Sequence, residues 1–88
     1  MNNPTVSLDT GSESCAVLVF ATPKAVEAMG GSIAGESFED AGDGQHYAMV
    51  GSGWSDAHTG EQNDAEFFRA WRACLDACNA AGLAWVEA

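Results

Sequence analysis

The sequence DAEFFRAWRACLDACNAA, residues 64–81, is the clearest secondary-structure signal in the chain and decides its fold class. At 100° per residue, its large apolar side chains and cysteines fall within an arc of about 120°, and charged side chains occupy the opposite side. These apolar-side residues are Phe67, Phe68, Trp71, Cys74, Leu75 and Cys78. Asn63 or Asp64 is a suitable N-cap, and Gly82 stands where helices commonly end. The pattern predicts an amphipathic helix that buries one face.

Two strands and a short helix are predicted near the N-terminus. Residues 5–9 alternate polar and apolar side chains, and residues 15–21 form a continuous β-branched-rich run. The second pattern is typical of a central strand buried on both faces. A turn at residues 10–13 would join the two strands as a hairpin. A Thr-Pro pair then supplies a cap and a first helical residue, which predicts a short helix over residues 24–29.

The middle of the chain predicts a second hairpin, and the C-terminus predicts one more strand. Residues 33–39 and 45–50 read as strands around a turn at residues 40–44, whose Asp-Gly ending favours a hairpin because Gly tolerates positive φ. Residues 51–63 are small and polar and predict a surface loop. Residues 83–86 predict a closing strand that follows the long helix.

The order of these elements predicts one α+β domain. Its largely antiparallel sheet would have about four to five strands, with the long amphipathic helix packed on one face and one short helix beside it. A chain of 88 residues fits a single domain, and residues 1–88 show no internal repeat or linker. Almost half of the residues are hydrophobic, which distinguishes this chain from a disordered acidic tail.

Negative charge is concentrated in residues 25–68. This span holds nine carboxylates and no Lys or Arg, whereas the whole chain has 13 acids, 3 bases and a net charge of −10. Coulomb repulsion therefore opposes direct binding to nucleic acid or to an anionic membrane. The field instead favours a basic protein surface as partner. The nine carboxylates are Glu27, Glu36, Glu39, Asp40, Asp43, Asp56, Glu61, Asp64 and Glu66.

The strongest candidates for partner binding lie in the predicted hairpin and loop. Asp64 and Glu66 already have a structural role, because acids in the first turn complement the helix dipole. Trp54 would either anchor a partner or fold inward over the sheet. The alternative is that the acids only keep the protein in solution. We expect Asp56 and Glu61 to lie beside the acids of the hairpin. The predicted partner-binding residues are Glu36, Glu39, Asp40, Asp43, Trp54, Asp56 and Glu61.

Catalytic and metal-binding signals are weak, so we expect no enzyme, no cofactor and no metal site. Cys74 and Cys78 are four residues apart and would form a zinc site with His46 or His58, but their place in the apolar arc favours core packing. The two histidines would serve acid–base catalysis only if the fold held them against a carboxylate or nucleophile. Three cysteines, with neither a signal peptide nor a membrane span, predict a reduced cytoplasmic protein.

In size, charge and the acidic hairpin and loop, the chain resembles the small acidic inhibitors of phages and mobile elements. Among these are nucleic-acid mimics such as the uracil-DNA glycosylase inhibitors and many anti-CRISPR proteins. The resemblance implies a stoichiometric inhibitor that occupies a basic nucleic-acid channel on a bacterial defence or DNA-processing protein, first of all a Cas complex. The alternatives are a non-mimetic interaction or homodimerisation module and, third, a small metal-dependent enzyme that uses His46 and His58.

Overall fold

The computed structural model describes residues 6–9 and 16–87 and confirms the α+β class. The elements are β1 Val6–Asp9, β2 Ala16–Ala21, α1 Pro23–Ala28, β3 Ser32–Ile33, β4 Glu36–Ser37, β5 Glu39–Gly42, β6 Gln45–Gly51, α2 Gly60–Ala80 and β7 Trp85–Glu87. Five strands form one sheet in the order β5-β6-β2-β1-β7, and β3 and β4 form a separate two-stranded hairpin. None of the described helices is long and apolar enough to cross a lipid bilayer.

The sheet is mostly antiparallel. β1 pairs with β2, β2 with β6, and β6 with β5, all antiparallel, whereas β7 lies parallel to β1 with Trp85 opposite Val6. The predicted first hairpin and closing strand are therefore confirmed. The predicted turn at residues 10–13, together with Thr5 and Cys15, lies outside the described residues. The short helix α1 begins at Pro23 and is capped by Thr22, as predicted.

The prediction of one strand over residues 33–39 is wrong. Ala34 and Gly35 both have positive φ, 50° and 86°, and turn the chain back so that Ile33 of β3 pairs with Glu36 of β4. Positive φ at two consecutive residues is the geometry of the tight type I′ hairpin turn. The chain then enters the main sheet at β5. Glu36 consequently belongs to the small hairpin, whereas Glu39 belongs to the five-stranded sheet.

The second predicted hairpin is present with β6 as its second strand, but its first strand is β5, so three residues of the predicted turn at 40–44 belong to a strand. Asp43 and Gly44 form its turn with φ of 53° and 75°. The pairing changes register between Asp40 and Gly42, so Ala41 is an extra residue in β5. Such a bulge increases the local twist of an edge strand.

The long helix begins four residues earlier than predicted, and the predicted loop is correspondingly shorter. Thr59 is the N-cap: its Oγ1 accepts a hydrogen bond from the Gln62 backbone N–H, and Gln62 Oε1 accepts one from the Thr59 N–H. This reciprocal capping box satisfies two backbone N–H donors at once. Glu61, not Asp64 or Glu66, is therefore the acid in the first turn. The helix ends before Gly82, as predicted.

The buried face of α2 is rotated by about 60° from the predicted arc. Ala70, Cys74 and Cys78 are buried, whereas Phe68 is 64% exposed, so its predicted burial is wrong. Small side chains at the centre of the contact allow the helix to approach the sheet closely. They pack against a buried cluster that also includes Val6, Leu8, Val17, Val19, Ala21, Ala25, Ile33, Ala48 and Val50.

The central strand β2 is buried on one face only, which corrects the prediction of two buried faces. Val17, Val19 and Ala21 are buried, whereas Leu18 and Phe20 between them are partly exposed. Ala25 of α1 and the buried residues of α2 belong to the same core cluster as Val17, Val19 and Ala21. Both helices therefore lie on one side of the sheet, and no helix in the described part of the chain covers the other side, the open face.

Replacing Thr59 tests whether the capping box sets the start of α2. Thr59→Ala removes the acceptor for the Gln62 N–H, so we expect the free energy of unfolding to fall by about 1 kcal/mol. Thr59→Ser keeps the hydroxyl and should retain most of that stability. Urea denaturation followed by circular dichroism measures both variants. Equal stability of Thr59→Ala and the parent protein would contradict the assignment of the cap.

Candidate partner-binding surface

Three predicted partner-binding acids lie on the edge hairpin formed by β5 and β6, and a fourth lies on β4 of the small hairpin that precedes it; we name the four together the acidic edge. Its members are Glu36 on β4, Glu39 and Asp40 on β5, and Asp43 in the β5–β6 turn. All four are exposed, and β5 is a terminal strand of the sheet. Charged side chains on an edge strand also disfavour pairing with further strands. The margin therefore presents carboxylates to a partner without exposing an uncharged edge.

Local hydrogen bonds hold two of the four carboxylates of the acidic edge. Asp40 Oδ1 accepts a hydrogen bond of 2.8 Å from the Gly42 backbone N–H. The Glu39 carboxylate accepts a hydrogen bond from the hydroxyl of Tyr47, its partner across the hairpin, and this contact raises the pKa of Tyr47. Asp43 has positive φ, a conformation that Asp and Asn tolerate better than most residues. The fold thus restricts these side chains before any partner binds.

The remaining predicted residues, Trp54, Asp56 and Glu61, lie beyond the other end of β6. Asp43 precedes β6, whereas the loop at residues 52–59 follows it. Seven extended residues span about 20 Å, so the loop acids do not lie beside Asp43 as predicted. Trp54 is 45% exposed and is not folded into the core. The structure therefore divides the predicted set into the acidic edge and a separate loop group.

The loop is ordered by Asn63, which the sequence suggested as a helix cap. Its amide forms two hydrogen bonds with the backbone of Ser55, donating from Nδ2 to the carbonyl at 3.1 Å and accepting from the N–H at 3.0 Å. The same Oδ1 lies 3.1 Å from Nδ1 of His58. Asn63 thus closes the loop that carries Trp54 and Asp56.

Positive charge is confined to the helical layer. The three basic residues of the chain are Lys24 on α1 and Arg69 and Arg72 on α2. Arg69 lies 3.6 Å from the carboxylate of Glu66, which also packs against Gly53 at the start of the loop. The loop end therefore has mixed charge, whereas the acidic edge has carboxylates alone.

The open face carries an apolar strip that sequence reasoning did not select. Leu18 lies opposite Met49 and Phe20 lies opposite Tyr47 across β2 and β6. Met49 is 58% exposed, and the other three are partly exposed. Apolar residues at alternate positions of both strands are visible in the sequence, but the run at residues 15–21 predicts a strand buried on both faces, and residues 45–50 predict a strand without a buried face assigned. Tyr47 joins this strip to the acidic edge through Glu39.

The cysteines pack in the core, as predicted. Cys74 and Cys78 are both buried, and burial raises the pKa of each thiol, for Cys74 to about 11. Within residues 6–9 and 16–87, no group of three or more His, Cys, Asp and Glu side chains is arranged to hold a metal ion. His46 lies opposite Asp40 in the β5–β6 hairpin, and His58 contacts an amide. The two histidines therefore do not form one site.

The raised thiol pKa predicts a loss of stability at alkaline pH. The Cys74 thiol ionises near pH 9.0 in the unfolded chain and near 11 in the folded protein. Its contribution to stability is therefore complete below about pH 9 and is lost as the pH rises toward 11. Urea denaturation between pH 8 and about 11 should show that the free energy of unfolding declines less steeply for Cys74→Ala than for the parent protein, because the variant lacks the Cys74 shift. A smaller decline should remain, because the raised pKa values of Cys78 and Tyr47 are present in both proteins. Parallel declines would contradict the shift.

Comparison with protein-family models, with curated proteins and with solved structures finds no match to this chain. No residue role can therefore be transferred from a relative. The candidate surface is defined by its own geometry: an exposed row of carboxylates, an adjoining apolar strip on the open face, and basic residues restricted to the helices. Such a surface can form ion pairs with cationic side chains and van der Waals contacts with apolar ones.

Proposed function

We propose that this protein is a non-enzymatic, stoichiometric inhibitor that binds the basic nucleic-acid-binding surface of another protein. The first choice of target is an RNA-guided Cas complex, on which the protein would act as an anti-CRISPR. The second choice is another bacterial defence or DNA-processing protein, and in either case the protein would act in the host cytoplasm. It requires no cofactor. Binding occurs through the acidic edge, whose carboxylates occupy the positions of nucleic-acid phosphates.

The absence of basic side chains around the acidic edge carries this proposal. Residues 31–59 carry five acids and no Lys or Arg, whereas the helices carry all three basic residues together with five acids. Interspersed charges are enough to keep a protein in solution, and a single-sign field is useful mainly for steering. A single-sign margin instead creates a directional field that accelerates encounter with a basic channel.

The mechanism is competition for Arg and Lys side chains. In a nucleic-acid channel these side chains hold phosphates, which follow one another about every 3.4 Å along a DNA strand. The acidic edge places four carboxylates within eight residues, a span of about 26 Å if fully extended. A fully extended segment would have about half the linear charge density of one DNA strand, and the bulge at Ala41 and the turn at Asp43 bring these carboxylates closer together than that. The partner would gain ion pairs that weaken as salt screens them.

A second candidate function is favoured by the apolar strip of Leu18, Phe20, Tyr47 and Met49. A non-mimetic interaction module would use this strip for affinity and the acids only for solubility. The two functions differ in their response to salt, because apolar burial does not weaken as ions are added. A steep loss of affinity with salt supports mimicry, and a flat response supports the second candidate.

Inhibition assays on purified Cas complexes test the proposal. We expect at least one complex to lose target-DNA binding near an equimolar ratio. In the variant Glu39→Gln, Asp40→Asn, Asp43→Asn, the affinity should fall about tenfold, as three exposed ion pairs contribute about 0.5 kcal/mol each. The amides preserve the hydrogen bond to Gly42 and the acceptor for Tyr47, and Asn tolerates the positive φ of position 43.

A matched variant controls for net charge. Glu27→Gln, Asp64→Asn, Asp76→Asn removes the same charge from exposed positions on the helices and should inhibit like the parent protein. Equal inhibition by the parent and the acidic-edge variant would refute mimicry. Failure to inhibit any nucleic-acid-binding target at low salt would refute the proposed function as a whole.

A further inference from the structure

The open face of the sheet carries larger apolar side chains than the face beneath the helices. On β2 and β6, the buried residues are all Val or Ala, whereas the open face presents Leu18, Phe20, Tyr47 and Met49. Large apolar side chains gain the most free energy when they are removed from water. In the described part of the chain, nothing from the helical layer reaches them. Their size therefore suits contact with another molecule better than exposure to water.

The dimensions of this strip suit one α-helix. Its four side chains stand on two neighbouring strands, about 5 Å apart, and at alternate residues, about 7 Å apart along each strand. A helix is about 10 Å across with its side chains, and its residues at i, i+3, i+4 and i+7 form an apolar stripe. A helix laid on the open face would complete a second helical layer over the sheet.

The border of the strip is acidic. Glu39 is hydrogen-bonded to Tyr47 at one side, and Asp43 lines an open hollow of about 360 Å³ together with Phe20, Gly42 and Gln45. An aromatic ring beside a carboxylate favours the side chain of Arg or Lys, through cation–π contact and ion pairing. A second copy of this chain would instead bring Glu39 and Asp43 near the acids of a molecule that also has a net charge of −10.

We infer that the open face docks an amphipathic helix of the partner, whose apolar stripe covers Leu18, Phe20, Tyr47 and Met49 and whose flanking Arg or Lys side chains meet Glu39 and Asp43. This inference rests on the proposed function, because it takes the acidic edge as the binding margin. It adds that the partner surface is a cationic helix with an apolar stripe, not only a charged channel.

Two synthetic peptides test the docking of such a helix. Both have 18 residues of Leu and Lys in equal composition: in one the Leu residues form a single helical stripe, and in the other the order is scrambled. Titration of the isotope-labelled full chain, followed by amide chemical shifts, gives affinity and location. We expect the striped peptide to bind at least fivefold more tightly, with the largest shifts at Leu18, Phe20, Tyr47 and Met49.

Two serine variants control for the loss of an exposed apolar side chain. Met49→Ser should weaken binding of the striped peptide about fivefold, whereas Phe68→Ser on the outer side of α2 should leave it unchanged. Both positions are exposed, so neither substitution opens the core. Equal effects of the two variants, or shifts confined to the helices, would overturn the docking site.

The outcomes also separate this inference from the proposed function. Equal binding of both peptides, weakened by the acidic-edge amide variant but not by Met49→Ser, would overturn the docked helix and leave charge recognition intact. Binding of neither peptide would overturn the docked helix as well, while inhibition of a Cas complex would still be measured separately. A parent protein that sediments as a dimer, and as a monomer after Met49→Ser, would show that a second copy covers the face.

Discussion

The close packing of α2 on the sheet is the contact on which the rest of the structure depends. Ala70, Cys74 and Cys78 are small enough for the helix backbone to approach the Val and Ala side chains of β2 and β6. This contact places both helices on one side of the sheet. Arg69 and Arg72 of the same helix remain exposed, and Arg69 lines a hollow together with Ala34 and Gly53. The bare open face is a consequence of that one-sided packing.

Local patterns predicted the long helix and β6, through the period of residues 64–81, the glycine after α2 and the Asp-Gly turn. They did not predict the start of α2, the turn at Ala34 and Gly35, or the first strand of the second hairpin. The Thr59 and Gln62 capping box is visible in the sequence, but Asn63 and Asp64 are also suitable N-caps, so the pattern alone does not fix the first residue of α2. The rotation of α2 was not readable, because an Ala such as Ala70 fits a buried or an exposed position equally well. A continuous apolar sequence such as residues 15–21 does not indicate whether the second face of the strand is covered by its own chain or by a partner.

The candidate surface was predictable only in part, because local structure holds some of its residues together and tertiary structure places the others. Glu39, Asp40 and Asp43 are close in sequence and share one hairpin, so local structure holds them together. The position of Asp56 depends on the length and direction of β6, which carry it about 20 Å away. Tyr47 and Met49 acquire a functional interpretation only after the helices are placed on the opposite face. In three dimensions Glu39 and Asp43 adjoin the apolar strip. Under the proposed function this would combine charge for encounter with apolar area for affinity.

Under the proposed function, the acidic edge and nucleic acid occupy the same surface of the target. A competition titration distinguishes this from binding elsewhere: an inhibited Cas complex is titrated with this protein at several concentrations of labelled target DNA. We expect mutually exclusive binding, in which the apparent dissociation constant of the protein rises linearly with the DNA concentration. A stable ternary complex of target, DNA and this protein, with an apparent dissociation constant that does not change with DNA, would refute shared occupancy.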